Sequence, residues 1–442
     1  MDSGCFSELM VKFDILGLRT LSVIYNTCES IDLNPIDIPL EADETYYPLG
    51  ELDCPHGLFQ IEASTNFSVC KKIKPRTLEE LSAVIAIARP GALDFVDDYS
   101  TYVRTGEFQS VHEVFDEELS YTGGIPLYQE QLMKMAVKLG FTLDEAEQLR
   151  RIVGKKKVEK MQEWKQKIEA KVIENSLPVE AGDVLWKVAE DSANYSFNKS
   201  HSIAYSTLAA WTIYLKFNHP QEFFLALLKM TNSEPTPQAE VSKISQELPQ
   251  FDIKLLPPNL IKSKMDFSIE GKNIRYGLSS IKGISDKSLD SLRKFRSEDS
   301  STKFDLFLAA KQAGLNIGVL SALIQAGALS DDLSADRSKL VLEAQLFNIL
   351  TDREKRNFIA FSEKETVDLF EIFKTITTSE FKAVGDDGKA LMKESRYGTL
   401  KKKYAPYKDI YYKNSKSQDF ANWYFEKALL GFSYSSRLSE VF

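Results

Sequence analysis

Near the start of the chain Val11, Phe13 and Ile15 alternate with Lys12 and Asp14, the period of two that marks a half-buried strand. Residues 18–28 then read as a helix, and a polar connection rich in Asp, Glu and Pro fills 32–48. An ordered pattern resumes at 57–69. Thr77, three residues ahead of Glu80, opens a helix in capping-box fashion. That helix runs through LSAVIAIA and stops at Arg89-Pro90-Gly91. The apolar side formed by Leu127, Leu132, Met135 and Ala136, with Leu139 beyond, predicts a helix over 125–138. Another is predicted over 141–153, with Thr142 as N-cap, Glu145 three residues on, and Gly154 ending it. Residues 189–230 hold FNKSHSIAY and a long aromatic helix, STLAAWTIYLKF. No strand pattern interrupts 77–230, so this region is expected to be mainly α.

A Pro/Ser/Thr linker is expected at 231–238, followed by a small mixed segment with strand-like FDIKLLPPN, KMDFSIEG and KNIRYGLSSI. Ile281-Lys282-Gly283-Ile284 then leads into DKSLDSLRKF, an apolar–x–Gly–apolar turn that opens a helix. A second copy is read in LNIGVLSALIQAGAL at 315–329, with Gly318 as the turn. Such a turn aims backbone N–H groups at a DNA phosphate; the plainer alternative is an ordinary helix connection. Residues 401–412, KKKYAPYKDIYY, mix cations with aromatics. That mixture suits stacking on single-stranded nucleic acid, and a surface loop is the simpler expectation. The fold class expected is mainly α (α+β).

Composition narrows the class. A chain of 442 residues exceeds one ordinary core, so two to four domains are expected. Hydrophobic content of 43% and charged content of 27% fit a folded soluble protein. No apolar run reaches the length of a membrane span, and no signal-peptide pattern opens the chain. Cys5, Cys28, Cys54 and Cys70 show no C-x-x-C spacing and read as reduced thiols of a cytoplasmic protein. The four histidines form no H-E-x-x-H. Gly154-Lys155 is followed by Lys156 rather than Ser or Thr, so there is no P-loop.

Charge adds the candidate chemistry. The net charge is −9, yet Arg150, Arg151, Lys155, Lys156 and Lys157 cluster in LRRIVGKKK. Cations gathered inside an acidic chain point to a specific anion, with Arg forks suited to phosphate. A solvated helix face laced with i,i+4 pairs explains the run equally well. Lys12 and Asp14 share one strand face, as an ion pair or as a metal-binding Asp beside a phosphate-binding Lys.

Several strings, taken together and in order, resemble the α subunit of bacterial DNA polymerase III, the family C replicative polymerases. They are VKFDILGLRTL at 11–21, GLFQIEAS at 57–64, ARPGAL at 88–93, LYQEQLM at 127–133, LRRIVGKKK at 149–157 and FNKSHSIAY at 197–205. The stretch IKLLPP at 253–258 and EKALLGF at 426–432 extend the match. The resemblance implies a last palm strand at 1–22, helical fingers at 23–235, a tandem helix-hairpin-helix domain at 236–330 and a tail at 331–442 leading toward an OB fold.

It also implies roles. Asp14 is expected to ligate catalytic Mg²⁺ and Lys12 to contact the triphosphate. Arg150, Arg151 and Lys155 are expected to meet the incoming dNTP. Asn198, Lys199, Ser200 and His201 lie in the motif near the nascent base pair, with a capped helix start as the alternative for His201. Lys156, Lys157, Lys282, Gly283 and Gly318 are assigned to DNA, while Gln60, Arg89, Tyr128 and Gln129 match motifs with partly structural roles. Family members also carry a sliding-clamp segment of the form Gln-Leu-Asp-Leu-Phe. Here Thr366-Val367-Asp368-Leu369-Phe370 stands in the corresponding interval. Leu369 and Phe370 are its clamp-binding candidates, or part of an apolar helix face with Ile372 and Phe373.

One departure shapes the expectation of function. Family palms use three aspartates for two-metal phosphoryl transfer, and only Asp14 has a match. The chain is therefore expected to be the C-terminal half of a split DNA polymerase, inactive until paired with a front-half chain carrying the PHP domain, thumb and palm. The alternative is a catalytically dead module that binds DNA or polymerase. The expected partners are primer–template DNA, dNTP, that front-half chain and the sliding clamp, with no membrane.

Overall fold

The computed structural model describes residues 15–51, 53–154, 158–192, 196–296, 302–329, 336–365, 369–378, 384, 388, 390–414, 418–437 and 439. These fall into two compact units, Met1–Ala226 and Leu227–Phe442. The architecture is mainly α with one small three-stranded sheet among the described residues, as the hydrophobic periodicity predicts. No helix among the described residues is long and apolar enough to cross a membrane.

The first unit contains α1 (Arg19–Ser30), α2 (Ser64–Ile73), α3 (Leu78–Ile87), α4 (Val96–Thr105), α5 (Gln129–Lys138), α6 (Leu143–Gly154), α7 (Val158–Glu174), α8 (Val179–Ser192) and α9 (Lys199–Asn218). A further helix, α10 (Pro220–Met230), runs into the second unit. The N-cap of α3 forms as its sequence suggests, with Thr77 Oγ1 accepting from the Glu80 amide at 3.2 Å. Every residue of α3 from Leu81 to Ile87 is buried. A helix apolar all round must sit inside a core, and α3 packs along α9 there with Ala209, Ala210 and Ile213. A separate core is formed by α5 to α8 around Met135, Leu149, Trp164, Ile168 and Leu185.

Two polar devices brace this unit. The fully buried Lys216 donates from Nζ to the carbonyls of Cys54 and His56, each at 2.6 Å. A buried ammonium needs such acceptors to offset its lost hydration, and here they anchor the loop ahead of α2. The helix expected over 125–138 starts only at Gln129. Just before it Tyr128 is extended and bridges a distant piece of chain at Phe197. Phe197 N–H donates to Leu127 O at 3.0 Å, and Gln129 N–H donates to Phe197 O at 2.9 Å.

The second unit holds α11 (Pro237–Glu247), β1 (Leu255–Leu256), β2 (Ser268–Glu270), β3 (Asn273–Arg275), α12 (Leu289–Arg296), α13 (Lys303–Gln312), α14 (Ile317–Gln325), α15 (Arg337–Ile349), α16 (Asp352–Glu365), α17 (Leu369–Thr378), α18 (Glu394–Asn414) and α19 (Gln418–Leu430). The strand order is β1-β3-β2, parallel then antiparallel. The expected linker is shorter than 231–238, since Pro237 is already the first residue of α11, where its missing N–H is harmless.

Gly283 adopts φ +96 at the first hairpin turn, a conformation that favours glycine. The second turn differs from expectation. Gly318 lies inside α14, with its amide donating to the Asn316 side chain at 2.7 Å, and the left-handed turn residue between α13 and α14 is Gly314 at φ +70. Residues 401–412 belong to α18 rather than to a loop, despite Pro406 in its interior.

The EKALLGF stretch seals this unit. Glu426 is fully buried, and Arg337 Nη1 donates to its Oε1 at 2.6 Å. The other carboxylate oxygen accepts from Ser433 Oγ and from the amides of Tyr434 and Ser435, at 2.7, 2.9 and 3.1 Å. Gly431 has φ +87, and a Cβ there would lie 2.1 Å from the Gln238 carbonyl oxygen. Removing one partner strands a buried charge, so Glu426→Ala is expected to destabilise the second unit by about 3–5 kcal/mol. Urea unfolding of the variant against the parent chain checks this, and an unchanged midpoint would refute it.

Candidate phosphate-binding site

The site is built where the N-termini of α5 and α9 are drawn together by the 127–129 and 197 pairing. Asn198 caps α9, its Oδ1 accepting from the His201 amide at 2.8 Å and from Ser200 Oγ at 2.7 Å. Glu130, on the first turn of α5, accepts from Asn198 Nδ2 at 3.0 Å and from the Lys199 amide at 2.9 Å. A carboxylate at a helix N-terminus is favourable because unpaired N–H groups and the helix dipole present positive charge there. Beneath it, Tyr128 is buried, and its hydroxyl lies 2.9 Å from Ser82 Oγ, which in turn donates to Ser202 Oγ at 3.0 Å. Burial pushes the Tyr128 phenol well above its ordinary value. Tyr128 thus ties α3, α5 and α9 together.

On α6, Arg150 presents its guanidinium edge to Glu147, with Nε and Nη2 each donating at 2.7 Å, while Nη1 donates to Gln129 Oε1 at 3.1 Å. Arg151 Nε donates to the same Glu147 carboxylate at 2.7 Å. One carboxylate therefore orients two arginine forks. The hydrogen bond from Arg150, together with that from Arg151, holds the Glu147 carboxyl down at about 2. Arg151 is the more exposed of the pair, at 68% against 29%.

An aromatic face adjoins α9. His201 meets Phe197 edge-on at 5.4 Å and lies 4.1 Å from the Tyr205 ring, and Tyr205 lies 5.3 Å from Phe59. The Arg89 guanidinium sits 3.6 Å above Phe197, a cation–π contact. Lys199 Nζ lies over the Tyr121 ring at 4.3 Å and 3.3 Å from Glu79. Gln60 takes φ +61, and its carbonyl accepts from Asn66 at 2.6 Å. The Phe59 amide donates to Thr212 of α9 at 3.1 Å.

Arg150, Gln129, Asn198, Lys199, Ser200, His201, Arg89 and Tyr128 are thus gathered into one neighbourhood. The cluster offers two arginine forks and the exposed His201 ring beside half-buried Tyr205 and Phe197, groups of the kind that recognise phosphate and a base. Sequence reasoning missed Glu130 and Glu147, the two acids that orient it. Their signal was available in spacing, since Glu147 stands three and four residues ahead of the arginines.

Lys12, Asp14, Lys155, Lys156 and Lys157 lie outside the described residues. Among the described residues no group of three His, Cys, Asp or Glu side chains could hold a metal ion, so no step is assigned to Mg²⁺ on these residues. In the second unit Lys282 is exposed at the hairpin turn beside Gly283, and its amide donates to Leu429 O at 3.1 Å. Leu369 and Phe370 are 0% and 3% exposed in α17, with Phe370 6.1 Å from the Tyr404 ring. A clamp groove would have to compete with this core for both side chains.

The lowered carboxyl of Glu147 sets a pH signature. Its contribution to stability is fully present above its ordinary value near 4.5 and is lost as pH falls toward about 2. The urea midpoint of Glu147→Gln is expected to fall below that of the parent chain at pH 6, with the gap closing toward about pH 2.5. A gap independent of pH would refute the charge-based account.

Comparison with known proteins shows the family. The model of the bacterial DNA polymerase III alpha subunit finger domain matches residues 18–176, and a helix-hairpin-helix motif model matches residues 252–340. DNA polymerase III subunit alpha of Thermus aquaticus is 32% identical over 356 residues, covering 77% of this chain and 29% of that protein. The corresponding subunit of Aquifex aeolicus is 35% identical over 334 residues, covering 72% of this chain and 28% of the relative. That of Bacillus subtilis is 31% identical over 344 residues, covering 75% and 30%. The chain spans under a third of the length of these curated relatives. The chain belongs to the bacterial DNA polymerase III α-subunit family, and the part of that subunit it carries includes the finger domain and the helix-hairpin-helix region.

Proposed function

We propose that the chain is the fingers and duplex-holding part of a replicative DNA polymerase, acting in the addition of dNMP to a primer 3′-OH. Its share of the work is to receive the incoming dNTP at the junction of α5, α6 and α9. The observation that carries this is the Arg150 fork, oriented by Glu147 and Gln129 beside the N-terminus of α9. A guanidinium fixed in one plane matches phosphate oxygens at little further entropic cost. Arg151, more exposed, adds a second fork, and Lys199 adds a positive charge nearby. His201 and Tyr205 offer a flat face on which the nascent base pair can rest. Lys155, Lys156 and Lys157 follow closely in sequence and add cations for nucleotide and DNA. In the second unit, the exposed Lys282 and the left-handed Gly283 suit a phosphate of the primer–template backbone.

Mg²⁺ would supply charge neutralisation on the triphosphate, with Asp14 as one ligand and Lys12 beside it. One carboxylate cannot hold two divalent cations, so the remaining ligands would be palm carboxylates other than Asp14. In a primer-extending polymerase that carries this chain's residues together with those carboxylates, Asp14→Asn should lower the rate by several orders of magnitude. A rate unchanged by that substitution would remove Asp14 from the metal site.

Arg150→Ala and Arg151→Ala in the same polymerase are each expected to raise the KM for dNTP about tenfold or more, since a charge-assisted hydrogen bond is worth about 1.5–3 kcal/mol. Nucleotide titration at saturating primer–template checks this. Unchanged nucleotide dependence with weakened primer affinity would reassign the arginines to the DNA backbone.

A further inference from the structure

The exposed side of α18 lies outside both family-model matches, which end at residues 176 and 340. From 393 to 414 the chain carries seven Lys or Arg and two acids, within a protein of net charge −9. The fold sorts this mixture by face. Leu400 and Tyr404 turn inward, 1% and 2% exposed, and the Tyr404 ring lies 5.3 Å from Phe373 of α17. Arg396 also faces the protein, with Nε donating to Glu354 at 3.0 Å and Nη2 to the Ile349 carbonyl at 3.2 Å. Lys401, Lys402, Lys403 and Lys408 are left on the solvent side.

No carboxylate pairs with any of these four among the described residues. Lys401 has the Tyr397 ring beside it, at 5.9 Å. Lys401 and Lys408 stand seven residues apart, about 10 Å along a helix. The helix is docked rather than free, so the charges are held as a fixed surface.

We infer that this lysine face of α18 binds the phosphodiester backbone of duplex DNA without reading sequence. Charge complementarity selects a polyanion, and duplex DNA carries one negative charge per ~1.7 Å of axis. Tyr404, the ring that follows the lysine run directly, turns inward and is withdrawn from base stacking, and the comparison with a dT strand in the test separates duplex from single-strand binding. Ammonium groups on flexible stems act as point charges toward phosphate and carry no fixed fork with which to read a base edge. This surface goes beyond the nucleotide-site reading and stands or falls independently of it.

The test uses the full chain and a duplex of arbitrary sequence, roughly 30 bp long, with anisotropy measured across a salt series. Changing Lys401, Lys402, Lys403 and Lys408 together to Gln is expected to weaken binding at least about tenfold near ~100 mM salt. The slope of log K against log salt should become shallower by about 2 to 4, roughly 0.9 for each phosphate no longer neutralised. The four-arginine version should retain the parent slope. Unchanged thermal melting of both variants would show that the fold is intact, and Lys282→Gln in the hairpin turn serves as an independent surface whose effect should add to the loss. An unchanged slope in the glutamine variant would overturn the inference. So would a larger loss on a dT strand of the same length than on duplex, or a loss confined to acidic phospholipid vesicles or polyglutamate.

Discussion

The carboxylate of Glu130 at the start of α9 is the contact on which the first unit's site depends. A twenty-residue helix presents unpaired N–H groups at its N-terminus, and here Glu130 takes the Lys199 amide while Asn198 takes that of His201. Because Glu130 belongs to α5, satisfying one helix end locks the register of another. Tyr128, Gln129 and Glu130 then serve three different tasks from consecutive positions. Tyr128 reaches into the core, Gln129 holds Arg150, and Glu130 caps α9. The pairing of 127–129 with Phe197 makes that division possible, since a helix continuing back to residue 125 would take Tyr128 out of its extended conformation.

The same logic, acids placed to position cations, recurs elsewhere in the chain. Glu147 organises Arg150 and Arg151, and Glu354 turns Arg396 inward beneath α18. In the second unit Glu426 closes a buried network with Arg337, Tyr434 and the chain after α19. In each case a carboxylate fixes the direction of a cation, so packing as well as net charge decides which cations face solvent.

Much of the first unit is legible along the chain. The α3 cap at Thr77, the Thr142–Glu145 box opening α6 and the apolar stripe of α5 are local signals, each confined to a few residues. The family motifs likewise point to Arg150 and to 198–201. The departures have a common physical origin. The apolar content of residues 125–128 suits a helix, yet a non-local pairing of Leu127 and Gln129 with Phe197 holds Tyr128 extended. Glycine commonly makes turns, which favours Gly318 as the second hairpin turn, but Asn316 caps its amide and Gly314 carries the left-handed conformation. Pro406 and the lysine run suggest a loop at 401–412, and burial of Leu400 and Tyr404 against α15 and α17 outweighs the lost hydrogen bond.

The helical class, the caps, the family and the residue types available for phosphate all follow from the order of residues, because propensity, periodicity and motif order are properties of neighbours along the chain. Packing alone sets which acid holds which cation, that Leu369 and Phe370 are buried in α17, and that α18 turns Tyr404 in and its lysines out. Those outcomes depend on interactions between residues far apart in sequence, such as the Tyr276 hydroxyl with the Leu430 carbonyl, 154 positions away. Local pattern carries no information about such pairs until the chain has packed.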